Sequence, residues 1–231
     1  MVAVAGVVSV APGAAPIMRQ DKTATPLVTF IIPTKGRDTL NRTLASLFNL
    51  TQQQNWRAII VADGVDVSAA ADTRVMVAKI PRTGASNHGA LLRNFGLMRA
   101  DTEWVGYVDD DDTLAPTYIQ RLQEELQLTP SAEAVIFRML TNSSSDSRRV
   151  LPLPHHTDFK AGYVGISFAM KRQMYLQGFL FVPGSYEDFR MLDTLRLHKK
   201  KMVMSKHVTY FVKSSPVPGL FANVTARAII N

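Results

Sequence analysis

The segment Trp104–Pro116, WVGYVDDDDTLAP, indicates how the chain folds. Its first part, Trp104–Val108, is an apolar run with β-branched and aromatic residues, which predicts a buried β-strand. The strand ends at four consecutive carboxylates, Asp109–Asp112, whose charges repel one another. In open α/β sheets, ligands bind beyond the carboxyl ends of the strands. The segment therefore predicts a cation site at this edge of the sheet, and a solvated acidic turn before the next helix is the simpler alternative.

The acidic run favours a hard divalent cation. Counted from Asp109, the sixth position is Leu114 and the twelfth is Gln120, whereas an EF-hand loop needs Gly and Glu there. The chain has no Cys, and its five His form no recognisable ligand pair with the acidic run, which argues against zinc. An all-oxygen site with few protein ligands instead suits Mg²⁺ or Mn²⁺, bound largely through the phosphates of a substrate.

Length and charge restrict the class of protein. The 231 residues suffice for one sizeable core, and no stretch approaches the roughly 20 apolar residues of a membrane span. A net charge of +7 favours anionic partners. No nucleic-acid-binding motif accompanies it, so we expect no nucleic-acid partner, whereas the basic run His198–Lys201 permits peripheral membrane contact. Because the chain has no Cys for disulfides, we expect it in the cytoplasm or at the cytoplasmic face of a membrane.

The order of predicted elements gives a single α/β domain. Apolar runs predict buried strands over 27–33, 57–62, 75–80 and 104–108. Between them, helical spacing predicts a helix capped by Asp38 or Thr39 and a second over 87–99, whose core-facing residues would be Leu91, Leu92, Phe95 and Met98. This alternation predicts a Rossmann-like domain over 27–212 with a mostly parallel central sheet flanked by helices. Residues 1–26 would form an N-terminal extension and 213–231 a C-terminal tail.

The second half of the chain is predicted to be less regular. Its expected strands are 134–139, 163–170 and 203–212, and its expected helices are 117–128 and 171–176. Residues 141–158, which include His155 and His156, predict a long loop of the kind that forms lids or binding loops. Glu187 and Asp188 open a further helix, where acids commonly only stabilise the helix dipole, by about 0.3–1 kcal/mol.

The glycines do not supply a phosphate-binding loop. Gly84 and Gly89 have the spacing of such a loop, but Ala90 and Leu91 follow where Lys and Ser or Thr are needed, and the chain contains no Gly-x-Gly-x-x-Gly. Phosphate binding is therefore expected from a metal ion and from individual side chains.

Five short segments, taken in order, resemble the family 2 glycosyltransferases of the GT-A fold. They are Phe30–Thr34 (FIIPT), Ile60–Gly64 (IVADG), Leu92–Leu97 (LRNFGL), Val108–Pro116 (VDDDDTLAP) and Tyr186–Asp188 (YED). The likeness extends over about Leu27 to Val212 and is specific to the family rather than to one substrate. It departs from the family's pattern at Ala62, where the commoner motif has a first aspartate, and at His88, which aligns with a basic phosphate contact of some members.

The resemblance implies roles for individual residues. Donor-binding residues would be Pro33, Thr34, Asp63, His88, Arg93, Asp109 and Asp110, with Asp63 by the uracil. The family's Asp-x-Asp motif falls on Asp109 and Asp111, so these would hold the metal, Asp111 foremost. The catalytic base falls on Asp188, with Glu187 beside it.

The resemblance also implies a reaction. A sugar would pass from a nucleoside diphosphate sugar, UDP being favoured, to the hydroxyl of a glycan or another acceptor, with inversion and with Mn²⁺ or Mg²⁺ as cofactor. Acceptor contacts are expected from the 141–160 loop and from residues near 163–167 and 184–186. Two alternatives stay open at this point: a metal-dependent nucleotidyltransferase, and a GT-A-like module that binds but does not catalyse.

Overall fold

The computed structural model describes residues 25–68, 71–84, 87, 89–142, 148–216 and 226–231. The helices in these ranges are α1 (Leu40–Phe48), α2 (Ala90–Arg99), α3 (Tyr118–Leu128), α4 (Gln173–Leu176) and α5 (Glu187–Leu197). The strands are β1 (Val28–Thr34), β2 (Trp56–Asp63), β3 (Val75–Ile80), β4 (Trp104–Tyr107), β5 (Thr113–Leu114), β6 (Ala134–Asn142), β7 (Arg148–Leu151), β8 (Phe168–Lys171), β9 (Met202–Phe211) and β10 (Ala228–Ile230). Almost all of the predicted N-terminal extension, and His88, lie outside the described residues.

The described strands form one sheet in the order β10-β9-β6-β8-β4-β1-β2-β3, with β5 paired to β9 and β7 paired to β6. Strands β4, β1, β2 and β3 run parallel to one another. Strand β8 lies antiparallel between β4 and β6, and β6 is parallel to β9. The predicted α/β architecture is therefore present, and its parallel half carries the strands that end in polar residues.

The central strands are buried on both faces, which explains their continuous apolar sequences. On β1, Val28, Phe30, Ile31 and Ile32 are fully buried. Because β1 pairs in parallel with both β2 and β4, the carboxyl ends of the three strands meet at one edge of the sheet. Thr34, Asp63 and the acidic run Asp109–Asp112 lie at this edge as a result.

Helix α2 packs on β1 through a glycine. A Cβ placed on Gly96 would lie 2.5 Å from Cγ2 of Ile31, so only a glycine allows this close approach. The buried face of the helix is formed by Ala90, Leu92, Arg93, Gly96 and Leu97. The predicted inward face was wrong for Leu91 and Met98, which are 41% and 47% exposed. The face of α2 that packs on the sheet includes Gly96 and the buried Arg93. A search for apolar residues at helical spacing does not detect either of them.

Three further expectations differ from the structure. The predicted 141–158 loop contains β7, which pairs antiparallel with the end of β6. Within the predicted strand 163–170, only the last residues join the sheet, as β8. The predicted tail contains β10, which pairs with β9.

Thr39 precedes α1 as predicted, but its side chain makes no capping hydrogen bond. None of the helices in the described ranges is long and apolar enough to cross a membrane.

Replacing Gly96 by Val should destabilise the protein by about 1–3 kcal/mol, because the added methyl groups overlap Ile31 in a packed core. The free energy of unfolding in urea measures the loss. The control is Met98→Val on the exposed side of the same helix, which makes a similar β-branched change without the overlap. Equal losses in the two variants would show that helix propensity, and not the contact with β1, sets the effect.

Candidate active site

A cavity of about 260 Å³ opens at the carboxyl edge of the parallel strands. It is lined by residues that follow β1, begin α2 and follow β4, namely Pro33, Thr34, Lys35, Arg37, Gly89, Leu92, Arg93, Asp109 and Asp110. Five of the predicted donor-binding residues are thus brought together in one cavity: Pro33, Thr34, Arg93, Asp109 and Asp110. The position agrees with the rule that ligands bind outside the carboxyl ends of parallel strands.

Arg93 connects the two sides of this cavity. Its side chain is 3% exposed; Nη2 donates to Oδ1 of Asp109 at 2.5 Å, and Nη1 donates to Oε1 of Glu187 at 2.8 Å. Burial alone would lower the pKa of Arg93, but the two carboxylates raise it, so the guanidinium stays charged. The arginine on α2 therefore joins the end of β4 to the first turn of α5.

Asp110 is buried and held by two donors from the end of β1 and the turn after it. Thr34 Oγ1 donates to its Oδ2 at 2.6 Å, and Arg37 Nη1 donates to its Oδ1 at 3.1 Å. Burial nevertheless raises the pKa of Asp110. Arg37 Nη1 also lies 2.9 Å from Oδ2 of Asp111. Arg37 was not among the predicted site residues, and its only signal in the sequence is its position in the polar turn that follows the first strand.

Asp112 belongs to the framework rather than to the cavity. Its Oδ1 accepts the main-chain N–H of Lys213 at 2.9 Å, which fastens the chain after β9 to the acidic run. Burial and the neighbouring charge of Asp109 raise the pKa of Asp112 to about 7. Nearby, the main-chain N–H of Asp109 donates to the hydroxyl of Tyr210 at 3.1 Å. The four acids therefore have distinct surroundings, which their sequence alone does not distinguish.

Asp63 lies at the end of β2 and is 2% exposed. Its Oδ1 accepts both the main-chain N–H of Thr83 at 2.6 Å and the Thr83 hydroxyl at 3.0 Å. Among the described residues no hydrogen bond reaches its other carboxylate oxygen. Asp63 is therefore fixed in orientation by Thr83. It is not among the residues that line the described cavity, and His88 lies outside the described part of the chain.

Asp188 lies in the first turn of α5, next to Glu187. Its Oδ1 accepts the main-chain N–H of Phe189 at 2.6 Å, and its Oδ2 faces Gly165, where a Cβ would lie 3.6 Å away. Burial, together with the charge of Glu187, raises the pKa of Asp188 to about 6. A carboxylate with this pKa is ionised at neutral pH and is more basic than an ordinary aspartate.

The acidic run can provide oxygen ligands for a divalent cation. In the described ranges no group of three or more His, Asp or Glu side chains is placed to hold a metal by itself. Mg²⁺ and Mn²⁺ commonly use one or two carboxylates and take their other ligands from water and substrate phosphates. The exposed side-chain fractions of Asp109 and Asp111 are 37% and 18%, so both are within reach of a ligand. The donor set fits such an ion, provided that Arg37 gives up its contact with Asp111.

Comparison with solved structures identifies the fold. The structure of S. aureus TarS 1-349 superposes with a TM-score of 0.61 at 15% identity, covering 80% of this chain and 60% of that chain. The same protein in complex with UDP-GlcNAc gives a TM-score of 0.62 at 13% identity, with coverages of 87% and 61%. The chain thus spans about 60% of the length of these solved structures. The likeness confirms the predicted fold class, a single-domain α/β protein of the GT-A type.

Comparison with sequence families identifies the family. No curated protein sequence matches the chain significantly. The model described as glycosyl transferase family 2 matches residues 29–185, from β1 to the residues just before α5. The match covers more than half of the chain and includes the cavity and the acidic run. The resemblance noted from five short segments is confirmed, and the chain belongs to glycosyl transferase family 2.

Proposed function

We propose that this chain transfers a sugar from a nucleoside diphosphate sugar to an acceptor hydroxyl, with inversion at the anomeric carbon. One observation carries the proposal: the buried Arg93 pairs with both Asp109 and Glu187, so the acidic run after β4 and the Glu187-Asp188 pair belong to one site. A transferase needs a donor-binding group and a base on opposite sides of the reacting carbon. Membership of glycosyl transferase family 2 supports the same reaction class.

The donor would occupy the cavity at the edge of the parallel strands. UDP is the favoured nucleotide, because TarS, which shares the fold, has been crystallised with UDP and with UDP-GlcNAc. The second carboxylate oxygen of Asp63 would accept the N–H of uracil, or of thymine equally. Lys35, Arg37 and Arg93 line the cavity and supply positive charge for the diphosphate.

Asp111 and Asp109 would hold Mn²⁺ or Mg²⁺. When bound, such an ion would stabilise the negative charge that develops on the departing diphosphate. Thr34 and Arg37 would meanwhile keep Asp110 in place beneath the ribose. Arg37 would move its contact from Asp111 to a phosphate, so the turn after β1 would close on the donor.

Asp188 would act as the general base. Its carboxylate takes the proton of the acceptor hydroxyl as that oxygen attacks the anomeric carbon, and the nucleoside diphosphate leaves from the opposite side. A single base on the acceptor side gives direct displacement and therefore inversion. Glu187, held by Arg93, would fix the first turn of α5 and so orient Asp188.

Nucleotide binding tests the donor site. UDP with Mn²⁺ should stabilise the protein by about 2.7 kcal/mol at 100 times its dissociation constant. Thermal unfolding with UDP, dTDP, GDP and CDP, each with and without Mn²⁺, measures the effect. Asp111→Asn should lose the part that depends on Mn²⁺, whereas Asp101→Asn, at the other end of β4, should keep it. No stabilisation by any nucleotide would contradict the donor site.

Asp188→Asn should lower the transfer rate by about 10²–10⁴-fold while leaving UDP binding unchanged, because the amide cannot accept the proton. Release of UDP from a UDP-sugar, with water or a screened acceptor, reports the rate. The control is Asp193→Asn, an acid on the same helix that pairs with Arg196 and does not face the cavity. Loss of UDP binding in Asp188→Asn would show that the residue supports the structure instead.

The rate should also depend on pH through Asp188. Since its pKa is raised to about 6, the rate should rise as the pH increases through about 6 and then level off, because only the ionised form is a base. A profile of kcat/KM between pH 5 and 8 measures this dependence, because kcat/KM reports the pKa values of the free enzyme. A rate that stays flat across this range would mean that another group takes the proton.

A further inference from the structure

Two cations surround the ring of Tyr163. Lys160 Nζ lies 4.4 Å from the ring centroid, and the guanidinium carbon of Arg149 lies 5.3 Å from it. Both side chains are exposed, and among the described residues neither forms an ion pair. The ring of His156 lies 5.6 Å from the same ring. The Tyr163 ring thus keeps the positive charges of Arg149 and Lys160 near each other and exposed to solvent. No carboxylate of the described residues pairs with either charge.

This cluster, Arg149, His156, Lys160 and Tyr163, lies beside Asp188. Gly165, which faces Oδ2 of Asp188, is two residues after Tyr163, and two residues span at most roughly 7 Å. Phe159, the neighbour of Lys160, packs against Phe189, the neighbour of Asp188, with ring centroids 6.0 Å apart. None of the cluster residues lines the cavity at the end of β1 and β4. The cluster therefore lies near Asp188 but outside the cavity proposed for the donor.

A buried arginine fixes the loop that carries part of this cluster. Arg138 is fully buried, and its guanidinium donates to the carbonyls of Pro152, Leu153 and His156 at 2.7–3.0 Å. It also donates to the carbonyl of Ala226 at 2.8 Å. These bonds hold the loop in one conformation and place a further positive charge behind it.

The surroundings of the cluster disfavour additional positive charge. The pKa of His156 is lowered by desolvation and by the nearby charges of His155, Lys160, Arg138 and Arg149. A positive potential of this kind attracts anions. Asp158 is the one carboxylate in the described part of the adjoining 155–160 segment, and its Oδ1 accepts the main-chain N–H of Phe159.

We propose that Arg149 and Lys160, arranged around Tyr163, form a subsite for an anionic group of the acceptor, a carboxylate or a phosphate. The assignment to the acceptor rests on the proposed transferase function, because it takes Asp188 as the group that receives the acceptor's proton. An anion held here would lie within a few sugar-lengths of the base, so the subsite would select acidic acceptors over neutral ones of the same size. Two charge-assisted contacts would supply the discrimination.

Calorimetric titration in metal-free buffer at 0.15 M salt tests the subsite. The probes are trigalacturonate, inorganic tripolyphosphate and neutral galactotriose, which separate carboxylate, phosphate and uncharged ligands. We expect one or both anions to bind, and galactotriose not to bind. The double variant Arg149→Gln/Lys160→Gln should weaken anion binding by at least about tenfold. Its thermal midpoint should stay unchanged, since both side chains are exposed.

The matched control is Lys199→Gln/Lys206→Gln, which removes the same charge from two exposed lysines on other elements. It should change anion affinity by less than about twofold. Equal weakening in both double variants, or no anion binding by the wild type, would overturn the subsite. Stabilisation by UDP is measured on the same proteins. Its absence from the wild type would refute the donor site separately, and its loss only in Arg149→Gln/Lys160→Gln would place these cations on the donor side and overturn the proposal.

Discussion

The site depends on the buried ion pairs of Arg93. This guanidinium lies on the inner face of α2 and holds Asp109, after β4, and Glu187, at the start of α5. Removing the guanidinium would leave Glu187, whose side chain is 13% exposed, without compensation, and the loss of one partner from a buried ion pair costs about 3–5 kcal/mol. The relative positions of α2, β4 and α5 are therefore tightly coupled. The close packing of Gly96 on Ile31 fixes the same helix to the central strand, so the cavity takes its shape from both contacts.

Four adjacent aspartates coexist because the fold gives them different partners. Arg93 compensates Asp109, Thr34 and Arg37 compensate Asp110, and Arg37 also reaches Asp111. Asp112 binds main chain instead. The raised pKa values of Asp110 and Asp112 show that these partners do not fully offset burial. A divalent cation at Asp111 would compete with Arg37, so binding of the proposed donor and its metal would be linked to the conformation of the turn after β1.

The sequence predicts the four parallel strands β1–β4 well, and it does not predict the short strands β7 and β10. The bounds of β1, β2 and β4 differ from those predicted by one residue at each end at most, since strands buried on both faces have continuous apolar sequences. Strand β3 has the predicted bounds although it is an exposed edge strand. Strands β7 and β10 are short, lie at the margins and depend on distant partners, which no local pattern records. The burial of Arg93 and the contacts of Arg37 likewise follow from tertiary packing. The roles of Asp63, Asp111 and Asp188 stay predictions.

Arg93 also affects Asp188, the proposed base. Burial raises the pKa of Asp188, and the adjacent charge of Glu187 raises it further. Arg93 lies within bonding distance of Glu187 and lowers the pKa of Asp188 through its own charge. Without the Arg93 cation, the charges of Glu187 and Asp188 would repel each other more strongly. The pKa of Asp188 would then be higher, so Asp188 would stay protonated up to a higher pH. Asp188, the proposed base, would therefore depend on the same buried cation that pairs with the acidic run, so Arg93 links the architecture of the site to its proposed chemistry.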